Sequence, residues 1–323
     1  MGINNYLPEG MNIGTAENKE LVSSLSGLER AMAQGKILES VALVCDSELN
    51  LHVDLYGIEG IIEKNEALLC RRGEEIKDIA IITRVGKPVC FKVIRIDKRG
   101  DAVKVYLSRR AAQLECVSNF FSGLICGDII RAKVTHLEHF GAFVDIGCGI
   151  SSLLSVDCIS VSRISHPSDR LKCGELIDVI IKSIDEENER IFVSRRELLG
   201  TWEENAAQFE VGQTVAGIVR SIENYGIFVE LAPNLAGLAE LRDDRIDDSV
   251  TVGQSAAVYI KSIIPERMKI KLILIDSYNS ESIPPKNSGD RVFIDTEKVT
   301  HLDYWRYSPE SSAKVIETFF DEE

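Results

Sequence analysis

Two short phrases hold the residues best suited to chemistry. They are Phe140-Gly141-Ala142-Phe143-Val144-Asp145 and Tyr225-Gly226-Ile227-Phe228-Val229-Glu230. On an extended strand Ala142, Val144 and Ile146 alternate with Phe143 and Asp145. Asp145 is expected to face water, so Phe143 shares the polar side. Phe140 has the opposite parity. It joins the same surface if the chain bulges or kinks at Gly141, which has no side chain to resist. The second phrase repeats the arrangement: Ile227, Val229 and Leu231 point inward, and Phe228 and Glu230 outward, with Tyr225 ahead of Gly226. Paired rings on the outside of a strand offer π faces to nucleobases. Each stacked base contributes about 1–3 kcal/mol with little sequence preference. The competing reading is that the rings cover loops of their own domain or pack on a neighbour. Recurrence with the same parity favours the first reading.

Nothing in the chain reads as catalytic. It has no phosphate-binding glycine loop, no GxSxG, no HExxH and no recognisable carboxylate pair. His136 and His139 flank the aromatic strand without a nucleophile. His166-Pro167 sits in a long loop that it shapes, or through which it touches RNA. The eight cysteines include no CxxC pair and most have apolar neighbours. They read as small core residues in a reducing cytoplasm. No enzyme, cofactor, metal or small-molecule substrate is expected.

The elements that position the rings follow from a repeat. Residues 127–147 and 212–231 share one pattern, and each unit continues in the same order. In the clearest unit, strands are expected at 129–134, 140–146, 150–156, 176–184 and 190–194. The next unit places them at 215–222, 227–231, 237–241, 258–264 and 269–274. A degenerate first unit places them at 40–45, 49–55, 60–63, 89–97 and 103–108. Five short strands in about 70 residues fit a small closed barrel of the OB type. The fold class is therefore mostly β: three tandem five-stranded barrels at 36–110, 126–197 and 212–276. A helical segment precedes them at 1–35, with one amphipathic helix over 18–33. Short helical linkers fall at 110–125 and 196–211. A spacer and a small α/β extension occupy 277–323, with a strand at 291–295 and a helix at 311–320. The aromatic stretch 301–309 is expected to dock on the preceding domain.

The charge is −14, from 37 Lys and Arg against 51 Asp and Glu. That argues against indiscriminate DNA coating and leaves room for a local basic or aromatic face. No apolar run reaches membrane-spanning length, and the N-terminus lacks the pattern of a signal peptide. A cytoplasmic protein without a membrane partner is expected. Over 36–110 the balance is 14 basic to 12 acidic residues. Arg71-Arg72 and Lys92, Arg95, Lys98 and Arg99 are candidates to meet phosphates, as are Arg131, Lys133 and Arg220 on the first strands of the other units.

These residues resemble the S1 domain, the RNA-binding OB module of the bacterial ribosomal protein S1 family. Gly127-Asp128, the Phe140–Asp145 phrase, Cys173-Gly174-Glu175, Ile184-Asp185 and Val193-Ser194 match in the second unit. Val211-Gly212-Gln213, the Tyr225 phrase and Val252-Gly253-Gln254 match in the third. The resemblance implies RNA contact by Phe140 and Phe143 and by Tyr225 and Phe228. It also implies contact by Asp185 and Arg190 near the last strand, with Lys269 at the basic position of the third unit. The family's histidine is replaced by Ser155 in the second unit and by Glu240 in the third, where it would repel phosphate. The first unit has Leu49 and His52 in place of the ring pair and resembles N-terminal domains associated with ribosome docking. The implied function is binding of single-stranded RNA, such as mRNA, in translation. The second unit would make the principal contact, and residues 1–110 would meet the small ribosomal subunit. The alternatives are a protein-interaction scaffold or an accessory factor of RNA decay.

Overall fold

Strands of alternating apolar and polar side chains curl into three closed barrels. The computed structural model describes residues 6–70, 73–99, 102–240, 250–278 and 291–320. Barrel one contains β1 (Leu38–Cys45), β2 (Leu51–Leu55), β3 (Ile58–Ile62), β4 (Pro88–Arg99) and β5 (Ala102–Ser108). Barrel two contains β6 (Ile129–Glu138), β7 (Gly141–Asp145), β8 (Ser151–Ser155), β9 (Leu176–Asp185) and β10 (Arg190–Ser194). Barrel three contains β11 (Thr214–Glu223), β12 (Gly226–Ala232), β13 (Leu235–Glu240), β14 (Ser255–Ile264) and β15 (Lys269–Tyr278).

In each barrel the third and fifth strands pair in parallel and the other pairs are antiparallel. This is the five-stranded OB arrangement. Every first strand carries a register shift opposite the second: between Ala42 and Val44, Val134 and His136, and Val219 and Ser221. Such a bulge lets one strand bend far enough to pair on both edges. The irregularity expected at Gly141 thus falls at Thr135, on the neighbouring strand.

The inward residues fill three apolar cores. Val134, Ala142, Val144, Leu154, Val179 and Val193 are essentially without exposure in barrel two. The N-terminal segment forms two helices, Ala16–Val22 and Leu25–Gln34, where one was expected. Ser24 ends the continuity because its hydroxyl accepts the Gly27 N–H and caps the second helix. Gly27 lets the helices cross closely: a Cβ there would lie 2.5 Å from the Leu21 carbonyl oxygen. Among the described residues, no helix is long and apolar enough to cross a membrane.

Buried charge joins the barrels. Between barrels one and two lies Glu9, whose carboxylate accepts Arg109 Nε at 2.7 Å and Nη2 at 3.1 Å, and the Cys90 N–H at 3.0 Å. The Glu9 N–H donates to Asp145 at 2.7 Å, and Gly147 and Gly149 donate to its other oxygen. Asp145 is therefore buried and does not face water as its parity suggested. Glu230, the matching residue of barrel three, is buried too. Arg170 of barrel two and Arg220 of barrel three close on it. The equivalent Asp54 of barrel one is exposed. The outer face near the end of strand two is thus a junction in two barrels out of three. Removing one partner of such a buried pair costs about 3–5 kcal/mol, because the other charge is left uncompensated.

The tail docks on this assembly. Trp305 and Tyr307 are buried against the barrel-three core, and His301 pairs with Asp128 of barrel two at 2.8 Å. Two expectations fail here. Residues 291–295 form no strand; the Phe293 N–H reaches the Leu198 carbonyl and its ring packs at Gly200. The helix expected at 311–320 is instead a strand, β17 (Glu317–Phe319), paired with β16 (Tyr304–Arg306). Val315, Ile316 and Thr318 are β-branched and suit a strand, and burial of Ile316 and Phe320 fixes the register.

Glu39 supplies a pH test. It is buried, one oxygen accepts the N–H groups of Gly10, Asn12 and Ile13, and the other has no partner. Burial, and then the nearby charge of Glu9, push its carboxyl up to about 7. A raised carboxyl pKa favours the folded state below the ordinary value of 4.5, and that contribution is lost as pH rises through about 7. Asp145, also pushed up to about 7 by burial and by Glu9, titrates in the same window. Denaturant unfolding should show stability falling from about pH 4.5 to about pH 7, by at most about 1.4 kcal/mol per pH unit and per group, and levelling off above that. Glu39→Gln should make that fall shallower. An unchanged slope would contradict the assignment.

Candidate nucleic-acid interface

Glycine brings the rings together. A Cβ on Gly141 would lie 2.4 Å from the Leu154 carbonyl oxygen, and one on Gly226 would lie 2.7 Å from that of Ala239. Only a residue without a side chain allows this approach. Phe140 and Phe143 then meet edge to face, with centroids 6.0 Å apart at 87°. Tyr225 and Phe228 repeat the geometry at 6.2 Å and 89°. Phe140 is 55% exposed and Tyr225 58%, so each pair presents a ring to solvent.

Strand register extends the surface. Phe143 lies opposite Leu153 on β8, and Leu153 lies beside Phe192 on β10. The three half-buried side chains form one row across the barrel's outer face. Arg190 is exposed and shares this side by alternation. Asp185 stands opposite it, and hydrogen bonds from the side chain and backbone N–H of Asn188 hold its carboxyl below the usual range. Asp185 thereby fixes the turn that carries Arg190. Ser155 closes the row's end opposite Gly141 and hydrogen-bonds Asp157.

The corresponding row of barrel three is Phe228, Leu238 and Lys271. Lys271 reaches Glu240 at 3.1 Å, and this contact holds the Glu240 carboxyl below its ordinary value. The repulsion expected from Glu240 therefore meets a counter-charge. Lys269 is exposed at the start of β15.

Barrel one fills the same row with its own contacts. His52, Ile61 and Tyr106 occupy it. Asp46 and Glu59 flank His52 at 3.3 and 3.4 Å, and the Arg95 guanidinium lies 3.9 Å over the Tyr106 ring. Lys92 and Lys98 pair with Glu115 and Glu29. Arg71, Arg72 and the side chain of Arg99 lie outside the described residues.

The first-strand cations stand elsewhere. Arg131 pairs with Asp178 at 2.6 Å, and Lys133 donates to the Glu9 carbonyl at 2.8 Å. Arg220 is buried in the Glu230 junction. Sequence reading missed Leu153, Phe192 and Lys271. Alternation with Arg190 was a signal for Phe192, but its place beside Leu153 depends on a parallel pairing that alternation does not reveal.

Barrels of this topology are OB folds, whose strand faces and loops bind oligonucleotides and oligosaccharides. The S1 RNA binding domain matches residues 125–196 and 208–274, so barrels two and three are S1 domains. The small ribosomal subunit protein bS1 of Chlamydia muridarum is 29% identical over 224 residues, covering 67% of this chain and 38% of that protein. The bS1 protein of Staphylococcus aureus is 31% identical over 235 residues, covering 69% and 59%. A Clostridium tetani protein named 4-hydroxy-3-methylbut-2-enyl diphosphate reductase is 28% identical over 293 residues, covering 84% and 46%. The chain thus spans about half the length of the relatives it matches.

Phe192→Ala should weaken RNA binding by about 1 kcal/mol or more, the lower end for loss of one stacking ring. Fluorescence anisotropy with a labelled oligonucleotide checks this. An unchanged affinity in a folded variant would remove Phe192 from the surface.

Proposed function

We propose that this chain binds single-stranded RNA, in the cytoplasm and in translation, as a relative of ribosomal protein S1. The observation that carries the reading is the ring row of barrel two. Phe140 and Phe143 meet at 6.0 Å, in line with Leu153 and Phe192 and beside Arg190, within a barrel that matches the S1 domain. Bases stack on the rings, and Arg190 answers the phosphates. Asp185 holds the turn that carries Arg190. Barrel three adds a second, weaker contact through Tyr225 and Phe228, where Lys271 stands in the place of a third ring. No reaction is assigned to the chain.

Barrel one serves a different partner. Its row is closed by Arg95 over Tyr106 and by two carboxylates on His52. Residues 1–110 lie outside the family match, and the bS1 relatives are named as small-subunit proteins. A protein contact through this part, with the small ribosomal subunit as the partner, is the reading these facts favour.

Titration with an unstructured uridine oligonucleotide at two salt concentrations tests the proposal. Native protein should bind more weakly at the higher salt. Replacing Phe140 and Phe143 with Ala together should lower affinity by roughly tenfold or more. Equal affinity of native and doubly substituted protein would reject stacking and favour a protein-interaction scaffold.

A further inference from the structure

The loop between β8 and β9 brings a second ring pair to the edge of barrel two. His139 directly precedes Phe140 and is exposed. His166 comes from the loop, and the two imidazoles meet edge to face with centroids 4.9 Å apart at 82°. The contact joins the first and third connections of the barrel at the end where Phe140 emerges.

The chemistry of His166 is set by its neighbours. Its Nδ1 accepts the backbone N–H of Ser168 at 3.1 Å and lies 2.8 Å from the Ser168 hydroxyl, and the His166 backbone N–H donates to the Asp169 carboxylate at 3.4 Å. A ring nitrogen that accepts a hydrogen bond carries no proton, so the neutral ring bears its proton on Nε2. Among the described residues, Nε2 has no partner.

The loop is also held in place. Pro167 is buried, and Asp169 accepts the Ser165 N–H at 3.0 Å and Arg220 Nη1 of barrel three at 3.1 Å. Arg220 is itself fixed on the buried Glu230. The barrel two–three junction thus positions the His166 ring. Barrel three has Asn224 where barrel two has His139, so the pair belongs to barrel two.

We propose that the RNA surface of barrel two continues from Phe140 onto a ledge formed by His139 and His166, where His166 Nε2–H donates to an acceptor oxygen of a nucleotide. The ledge rests on the reading that barrel two binds RNA through its rings. Asp169 is a positioning residue that acts through the loop.

His166→Asn in the full chain separates recognition from folding. Asn retains a side-chain acceptor for the capping bond and lacks the ring. The substitution should leave the thermal midpoint near that of the native chain and lower affinity for a uridine oligonucleotide about tenfold, on the scale of one buried hydrogen bond plus a ring contact. Two-bond ¹H–¹⁵N correlation spectra should show His166 as the Nε2–H tautomer and shift its ring signals when the oligonucleotide is added. The Phe140 and Phe143 double substitution is the control. If it weakens binding while His166→Asn binds like native protein, the ledge is rejected and ring stacking stands. If neither substitution changes binding, both fall. Ring signals of His166 unmoved at saturating oligonucleotide overturn the ledge whatever the stability of the variant.

Discussion

Glu9 and Glu230 are carboxylates shut away from water, each closed on by arginine, and the arrangement of the three barrels depends on them. An ionised carboxylate is costly to bury unless charge and N–H donors surround it. Glu9 obtains them from the linker helix Arg109–Asn119, from β4 and from Arg84. Glu230 obtains them from Arg170 and Arg220 on either side of the second junction. Glu230 draws its partners from both barrel two and barrel three, and Glu9, held by barrel one and its linker helix, reaches barrel two through its backbone N–H to Asp145. Apolar contact alone is less directional, because many relative orientations bury similar area.

This constraint decides which surfaces remain open. The end of strand two bearing Asp145 or Glu230 is consumed by the junctions, and so are Lys133 and Arg220. The other end of the same strand, with its glycine and ring pair, stays exposed. The barrels share a frame and differ in one row of side chains. Barrel two presents Phe143, Leu153 and Phe192. Barrel three exchanges the last for Lys271, which is tied to Glu240. Barrel one covers Tyr106 with Arg95 and holds His52 between acids. One fold thus offers three different surfaces without any change of topology.

Much of this was legible in the chain. Alternation located the fifteen barrel strands to within a few residues, and the repeated phrase located the rings. What failed was whatever depended on distant partners. Asp145 and Glu230 read as solvent-facing because parity reports a side of a strand and not what covers it. The break at Ser23-Ser24 depended on a cap that a continuous apolar pattern concealed. The tail read as helical from residues 311–320, yet its β-branched residues pair with 304–306 and pack on barrel three. The row through Phe192 arose from a parallel pairing between strands far apart in sequence.

The central claim is that RNA lies along the ring row of barrel two. Photocrosslinking of the full chain to a single-stranded oligonucleotide containing 4-thiouridine, followed by peptide mapping, tests it most directly. Crosslinks should concentrate on the peptides that carry Phe140, Phe143 and Phe192, with fewer near Tyr225 and Phe228. Crosslinks centred on barrel one, or spread evenly over the three barrels, would contradict the account.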